Sequence, residues 1–319
     1  MKNFFIIFAL ILLTQINVSA NTSQNNDIFE TYSVNNIFNQ HKSDKAQIRS
    51  LLSNLNKYSN SHDADKIKEF YSKEYQSYDG FDLDAFVAAI KETFKTYPDI
   101  QYKSKIKSIN VMNNWASVEL TDTSISKKQA LTQAIVNNKP VTDKKIEGIM
   151  ESVCNYVIYL KKTGGRWQIY ADNIISESTS IKYGLAQDIK MDIVSPLVAK
   201  EGEEYCISLN IKEKPKDSIL LASLSREEIK YPPKTPLESF RKVPTTGMLE
   251  RIVQANKNGI NEYSLASVGI TEISLNEEKT AINYEMSGIA FLMKRVNVYA
   301  AKNAFDREYV DKILKKEEL

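Results

Sequence analysis

The sequence predicts an α+β chain in which three helices precede a curved antiparallel sheet, followed by a mainly β, sandwich-like domain. Three observations carry this expectation. Up to Pro98 apolar residues recur at helical spacing, and beyond it they recur at period two. From Leu185 onward short strand-like runs alternate with turn residues, and six of the eight prolines fall at Pro196 or later.

The helical part begins at Ser43, read as an N-cap with Ala46 where a capping box would carry Glu. Ile48, Leu51, Leu52, Leu55 and Tyr58 then fall on one face. A break at 60–63 leads to a shorter helix carrying Ile67, Phe70 and Tyr71, and Asp79-Gly80 supplies turn chemistry. The third helix follows Asp82, turns Phe86, Val87, Ile90 and Phe94 inward, and is stopped by Pro98. Ile100, Tyr102, Ser104 and Ile106 next alternate with Gln101, Lys103, Lys105 and Lys107, which describes a strand with one solvent face. Asn113-Asn114 predicts a hairpin turn into a strand over 115–123, and Gly164-Gly165 predicts a second, joining a strand at 146–162 to one opening at Trp167. Residues 126–143 read as an extended loop or insertion with a helical turn near 129–135.

In the second half, strands are expected at 189–194, 205–211, 219–224, 248–253, 263–270 and 282–293, with a long surface loop from Pro232-Pro233 to Pro244. Phe305, Tyr309 and Ile313 give residues 304–319 the pattern of a charged terminal helix. At the other end Lys2, the apolar run 4–13 and the small residues Val18, Ser19 and Ala20 form the three parts of a secretory leader, cleaved near Ala20. The expected organisation is therefore leader 1–20, linker 21–42, first domain 43–184, β-rich domain 185–303 and tail 304–319, exported to the periplasm or beyond.

Composition excludes several functions. The chain has 42 basic and 40 acidic residues, mixed along its length, so no basic stripe offers a nucleic-acid footprint. No later run is apolar enough to anchor it in a membrane. Cys154 and Cys206 fall in different expected domains and make no disulfide framework. With only His41 and His62, neither in a ligand cluster, no metal and no cofactor is expected. The terminal Lys316-Glu317-Glu318-Leu319 resembles an endoplasmic-reticulum retention signal with Glu for Asp, but a solvated helix end is the preferred reading.

Four segments point to a family. His62-Asp63-Ala64-Asp65, Tyr78-Asp79-Gly80, Tyr97-Pro98-Asp99 and Gly165-Arg166-Trp167-Gln168-Ile169, in that order and spacing, resemble the nuclear transport factor 2-like superfamily, also called SnoaL-like or ketosteroid-isomerase-like. The resemblance spans residues 43–184. It implies a cone whose concavity takes a small apolar ligand, and a homodimer formed through the cone's sheet. In enzymatic relatives such a pocket holds an acidic base and a Tyr or Asp that stabilises an oxyanion. The candidate ligand-binding residues here are Tyr102, inward by strand phase, and Tyr75, Tyr78 and Asp79 near the mouth. Tyr102 as core and Asp79 as a turn residue are the alternatives. Glu151 and Asn155 share a strand face with Val153 and Val157, opposite the more apolar Met150, Cys154, Ile158 and Leu160. No catalytic residue is assigned. The leading expectation is an exported, non-catalytic module that binds a small molecule or a protein. The alternatives are an isomerase or dehydratase with Asp79 or another carboxylate as base, and a structural module of the cell envelope.

Overall fold

A computed structural model describes residues 34–136, 139–231, 238–275 and 282–299. The expected leader, the first part of the linker, the core of the Pro232-Pro233 loop and the helical tail with its terminal tetrapeptide lie outside the described residues.

Helix α1 (Val34–Asn60) runs straight through the end of the expected linker, so Ser43 lies inside it and is not its cap. No Gly or Pro interrupts 34–60, and nothing therefore stops the helix before Asn60. Helix α2 (Ala64–Lys68) is capped by Asp63, whose carboxylate accepts the Lys66 N–H at 2.9 Å. Phe70 and Tyr71 do not continue it. Instead β1 (Tyr71–Ser77) forms, because its backbone finds a parallel partner at Tyr71↔Ile169 and Gln76↔Ala171. Helix α3 (Leu83–Thr96) is capped by Asp82 on Ala85 N–H at 2.8 Å.

Beyond Pro98 come β2 (Gln101–Met112), β3 (Trp115–Val136), β4 (Lys139–Thr163) and β5 (Arg166–Gly184), each antiparallel to the next. Asn113 (φ 53°), Gly164 (58°) and Gly165 (81°) take the left-handed backbone that tight hairpins need. The loop or insertion expected at 126–143 is not found among the described residues of that range. Residues 126–136 and 139–143 extend β3 and β4 in near-continuous register, from Ser126↔Met150 to Val136↔Lys139, and cross-strand pairing overrides the weak helical preference of 129–135.

The remaining elements are a 3-10 turn (Leu185–Gln187), β6 (Met191–Val194), β7 (Val198–Lys200), β8 (Glu204–Ile211), β9 (Ser218–Glu228), β10 (Arg241–Lys242), β11 (Met248–Gln254), β12 (Glu262–Leu275) and β13 (Ile282–Tyr299). One large sheet runs in the order β1-β5-β4-β3-β13-β12-β9-β10, and β11-β8-β6 form a second. The expected fold class is overturned. Among the described residues thirteen strands stand against three helices, and the molecule is mostly β, built on a large antiparallel sheet rather than on a three-helix cone with a separate sandwich. The reason lies in β13, which pairs with β5 from Gly288↔Gly184 to Lys294↔Ser178 and so fuses strands from both halves into one sheet.

That junction depends on glycine. Gly184 has φ +52°, and a Cβ there would lie 2.2 Å from the Ser287 carbonyl oxygen. Gly184→Ala should therefore cost about 1–3 kcal/mol for the backbone conformation alone, with the clash added. A urea titration reads the loss, and an unchanged midpoint would show that β5 and β13 separate easily.

The two largest hydrophobic clusters among the described residues follow from this layout. Ile48, Leu52, Ile67 and Phe86 of the helical layer pack on Leu120 and Ile169 of the sheet. Tyr205, Ile207 and Leu209 of the smaller sheet pack on Leu220, Val268 and Leu292. No helix among the described residues is long and apolar enough to cross a membrane.

Candidate functional site

The first core is incompletely filled. Between α1, α3 and the inner face of β2–β5 lies a cavity of about 140 Å³. Its wall is apolar and aromatic, formed by Leu52, Phe86, Ile90, Phe94, Leu120 and Ile158, and Asn56, Ser59, Ser104 and Thr123 bring it to the surface.

Two acids line this apolar space. Asp122 shares the inward phase of β3 with Val118 and Leu120, opposite Cys154 of β4. Its Oδ2 accepts the Tyr156 hydroxyl at 2.7 Å, while Oδ1 is buried and meets no donor at hydrogen-bonding geometry among the described residues. Asp172 of β5 is only 2 % exposed. It accepts the Tyr75 hydroxyl on Oδ2 at 2.8 Å, and its Oδ1 is likewise buried and finds no partner among the described residues.

Burial pushes both carboxyls up. At Asp122 the Tyr156 and Ser104 hydroxyls pull part of the way back. Asp172 is raised well above the ordinary range, with the Tyr75 hydrogen bond opposing burial and the neighbouring Asp79 reinforcing it. Burial beside these acids also holds the phenols of Tyr71, Tyr75 and Tyr156 neutral, and it raises the Cys154 thiol, which lines the cavity as a poor nucleophile. The phenol of Tyr71 faces the fields of both Asp122 and Asp172. The site can thus offer proton donors and acceptors in a place from which water is largely excluded.

The residues singled out in the sequence part company here. Tyr102 lines the cavity. Tyr75 is buried behind it and reaches it through Asp172. Tyr78 is half-buried and is not among the lining residues. Asp79 is turned away, into a polar cluster where β13 meets the turn before α3. There the Arg295 Nη1 and Nη2 groups donate to its two carboxylate oxygens at 3.3 and 3.2 Å, and Asn261 Nδ2 donates at 2.8 Å. Both ends of this ion pair are buried. Of the other strand positions weighed, Asn155 bonds Thr121 and Lys107 outside the cavity, and Glu151 is exposed.

Sequence reasoning missed both Asp122 and Asp172. The first was legible from the alternation Val118, Leu120, Asp122, Ser124 along β3. The second was not, because a bulge between Tyr159 and Leu160 shifts the phase of β5 and turns Asp172 inward out of step with Trp167 and Ile169.

His62 is held by its surroundings: its Nε2 lies 2.9 Å from the Ile100 carbonyl and its ring stacks on Phe94. Among the described residues no group of three or more His, Cys, Asp or Glu side chains is placed to hold a metal. Cys154 is buried, Cys206 is exposed, and both are free.

No family model matches the chain, and no curated protein matches it. Among solved structures it is similar over 43 % of its length to Bd1075 of Bdellovibrio bacteriovorus, at 14 % identity and a TM-score of 0.32, the match taking in 41 % of that chain. It is similar, also over 43 %, to a protein described as a putative scytalone dehydratase from Novosphingobium aromaticivorans, at 12 % identity, a TM-score of 0.33 and 86 % of that chain. A third likeness, over 42 %, is to a protein described as a putative dehydratase of the NTF2-like family from Streptomyces avermitilis, at 8 % identity, a TM-score of 0.28 and 95 % of that chain. The neighbours thus include NTF2-like proteins, and likeness this slight carries no functional argument.

Proposed function

We propose that the chain is an exported protein that binds a small molecule about the size of a benzene ring in the cavity between its helices and its sheet. The observation that carries this reading is the pair of buried carboxyl oxygens without a partner among the described residues, Oδ1 of Asp122 and Oδ1 of Asp172, on a largely apolar cavity. A void left by imperfect packing is apolar and stays dry, whereas a buried polar atom without a partner calls for something to satisfy it. The volume of about 140 Å³ is close to the roughly 150 Å³ that accommodates benzene in an engineered cavity of another protein.

A second reading, proton-transfer catalysis of the isomerase or dehydratase kind, is favoured by one specific feature. Desolvated carboxyls beside phenols are the environment in which acid and base roles are set apart. Asp79 does not line the cavity, so the base in that reading is Asp122 or Asp172.

Thermal-shift titration of the whole chain with single-ring compounds tests the binding reading. A ligand at a hundred times its Kd should stabilise the protein by about 2.7 kcal/mol. Ile90→Phe, which fills the cavity from α3, should abolish the shift. Stabilisation that survives Ile90→Phe, or no response from the wild type, would count against the cavity as the site.

A further inference from the structure

Among the described residues nothing that lines the cavity balances its two acids, and its wall carries no Lys, Arg or His side chain. Arg295, the cation that acts on Asp172 from outside, is committed to Asp79 and, through Nε at 2.6 Å, to Asn297. The hydrogen-bonding neighbours of Asp122 and Asp172 are neutral hydroxyls, those of Tyr156 and Ser104 at Asp122 and of Tyr75 at Asp172.

The rest of the wall favours the same sign of charge. Tyr71, Phe86, Phe94, Tyr102 and Tyr156 bring five aromatic rings to the cavity, and a ring face attracts a cation most strongly where water is excluded. An anion would be repelled by the aromatic rings and by either carboxyl once ionised. A neutral alcohol could donate to an unpartnered oxygen but would gain little from the rings. A cation gains from both.

We propose that the ligand is a small organic cation, a protonated primary amine carried on a body of about one aromatic ring, whose ammonium group donates to the buried carboxyl oxygens of Asp122 and Asp172. This assignment rests on the cavity reading above and names the ligand class for it. A primary ammonium has three donors, and the Ser104 and Tyr71 hydroxyls are on hand for the remaining one.

The titratable groups facing the two acids are the phenols of Tyr71, Tyr75, Tyr102 and Tyr156 and the thiol of Cys154, with the Asp79–Arg295 pair behind Asp172. Burial shifts both carboxyls toward the protonated form in the empty cavity, and an ammonium beside them shifts them back, so binding releases proton from them. The displaced proton leaves to solvent.

Isothermal titration of the whole chain with benzylamine, benzyl alcohol and benzoate, in two buffers of different ionisation enthalpy, tests the assignment. Benzylammonium should bind at least about tenfold more tightly than benzyl alcohol. Its heat should differ between the buffers by the ionisation of the released proton, and benzoate should give no heat. Asp122→Asn and Asp172→Asn, near-isosteric and neutral, should each bring the preference for amine over alcohol toward one while alcohol binding persists, which also shows that the variants are folded. Alcohol binding as tight as amine would overturn the ligand class and leave the cavity reading standing. An amine preference untouched by both Asn substitutions would overturn the role of the carboxyls. If none of the three compounds binds, the cavity reading fails as well.

Discussion

Replacing Arg295 with Met should destabilise the protein by about 3–5 kcal/mol, the usual cost of leaving a buried charge without its partner. Arg295 is completely buried and holds Asp79 with two hydrogen bonds, at 3.2 and 3.3 Å. Asn261 also donates to Asp79, and Asn297 accepts from the Arg295 Nε. With Met at 295 the Asp79 carboxyl keeps only Asn261, in a place that water does not reach. The urea midpoint should drop sharply at an unchanged m-value. The double variant Asp79→Asn/Arg295→Met removes the orphaned charge and should recover more than half of the loss, because a buried pair exchanged for neutral groups is often nearly neutral in stability. A loss below about 1 kcal/mol in the single variant would mean that Asp79 finds water or another donor and that the junction is wetter than it stands here.

Glu177 should make the protein lose stability as the pH rises. Burial pushes its carboxyl from 4.5 to about 8, against the pull of Arg295 and of the Tyr263 hydroxyl that donates to it at 2.8 Å. The folded state therefore holds this proton more tightly than the unfolded chain does. The contribution is fully present below about pH 4.5, declines through the interval that follows and is gone once the pH has passed about 8. At about 1.4 kcal/mol for each pKa unit, the decline is on the order of a few kcal/mol. Asp122 and Asp172, raised by burial, act in the same sense. Urea midpoints at pH 5 and pH 8 measure the decline, and Glu177→Gln should flatten much of it. A midpoint that climbs over this interval would contradict the burial of Glu177.

How much of this was legible in the sequence depends on the range of the forces involved. The helices around Ile48 to Tyr58 and Phe86 to Phe94, the turn at Gly164-Gly165 and the change of period at Pro98 are local, and local pattern reports them. The continuation of β3 and β4 through 126–136 and 139–143 was not legible, because Lys127-Lys128-Gln129 reads as a helix or loop until a partner strand is supplied. The pairing of β13 with β5 joins residues about a hundred positions apart, and nothing near either strand announces it. At the site, Tyr102 and Asp122 follow strand phase, whereas Asp172 depends on a bulge. Asp79, which its turn and its neighbours recommended as a cavity residue, was drawn off by Arg295, more than two hundred residues further along.

The seam between β5 and β13 also bears on the order in which a ribosome delivers the chain. By the time Gly184 emerges, all the helices described here and the strands through β5 are available, but the edge of β5 from Ser178 to Gly184 must wait for residues 288–294. At roughly 5–20 residues per second that wait is on the order of ten seconds, with an open strand edge and an unpaired Asp79 exposed meanwhile. A nascent chain stalled or cut within this interval should be prone to edge-to-edge aggregation and should be a natural client for chaperones, whereas the finished chain closes its own edge.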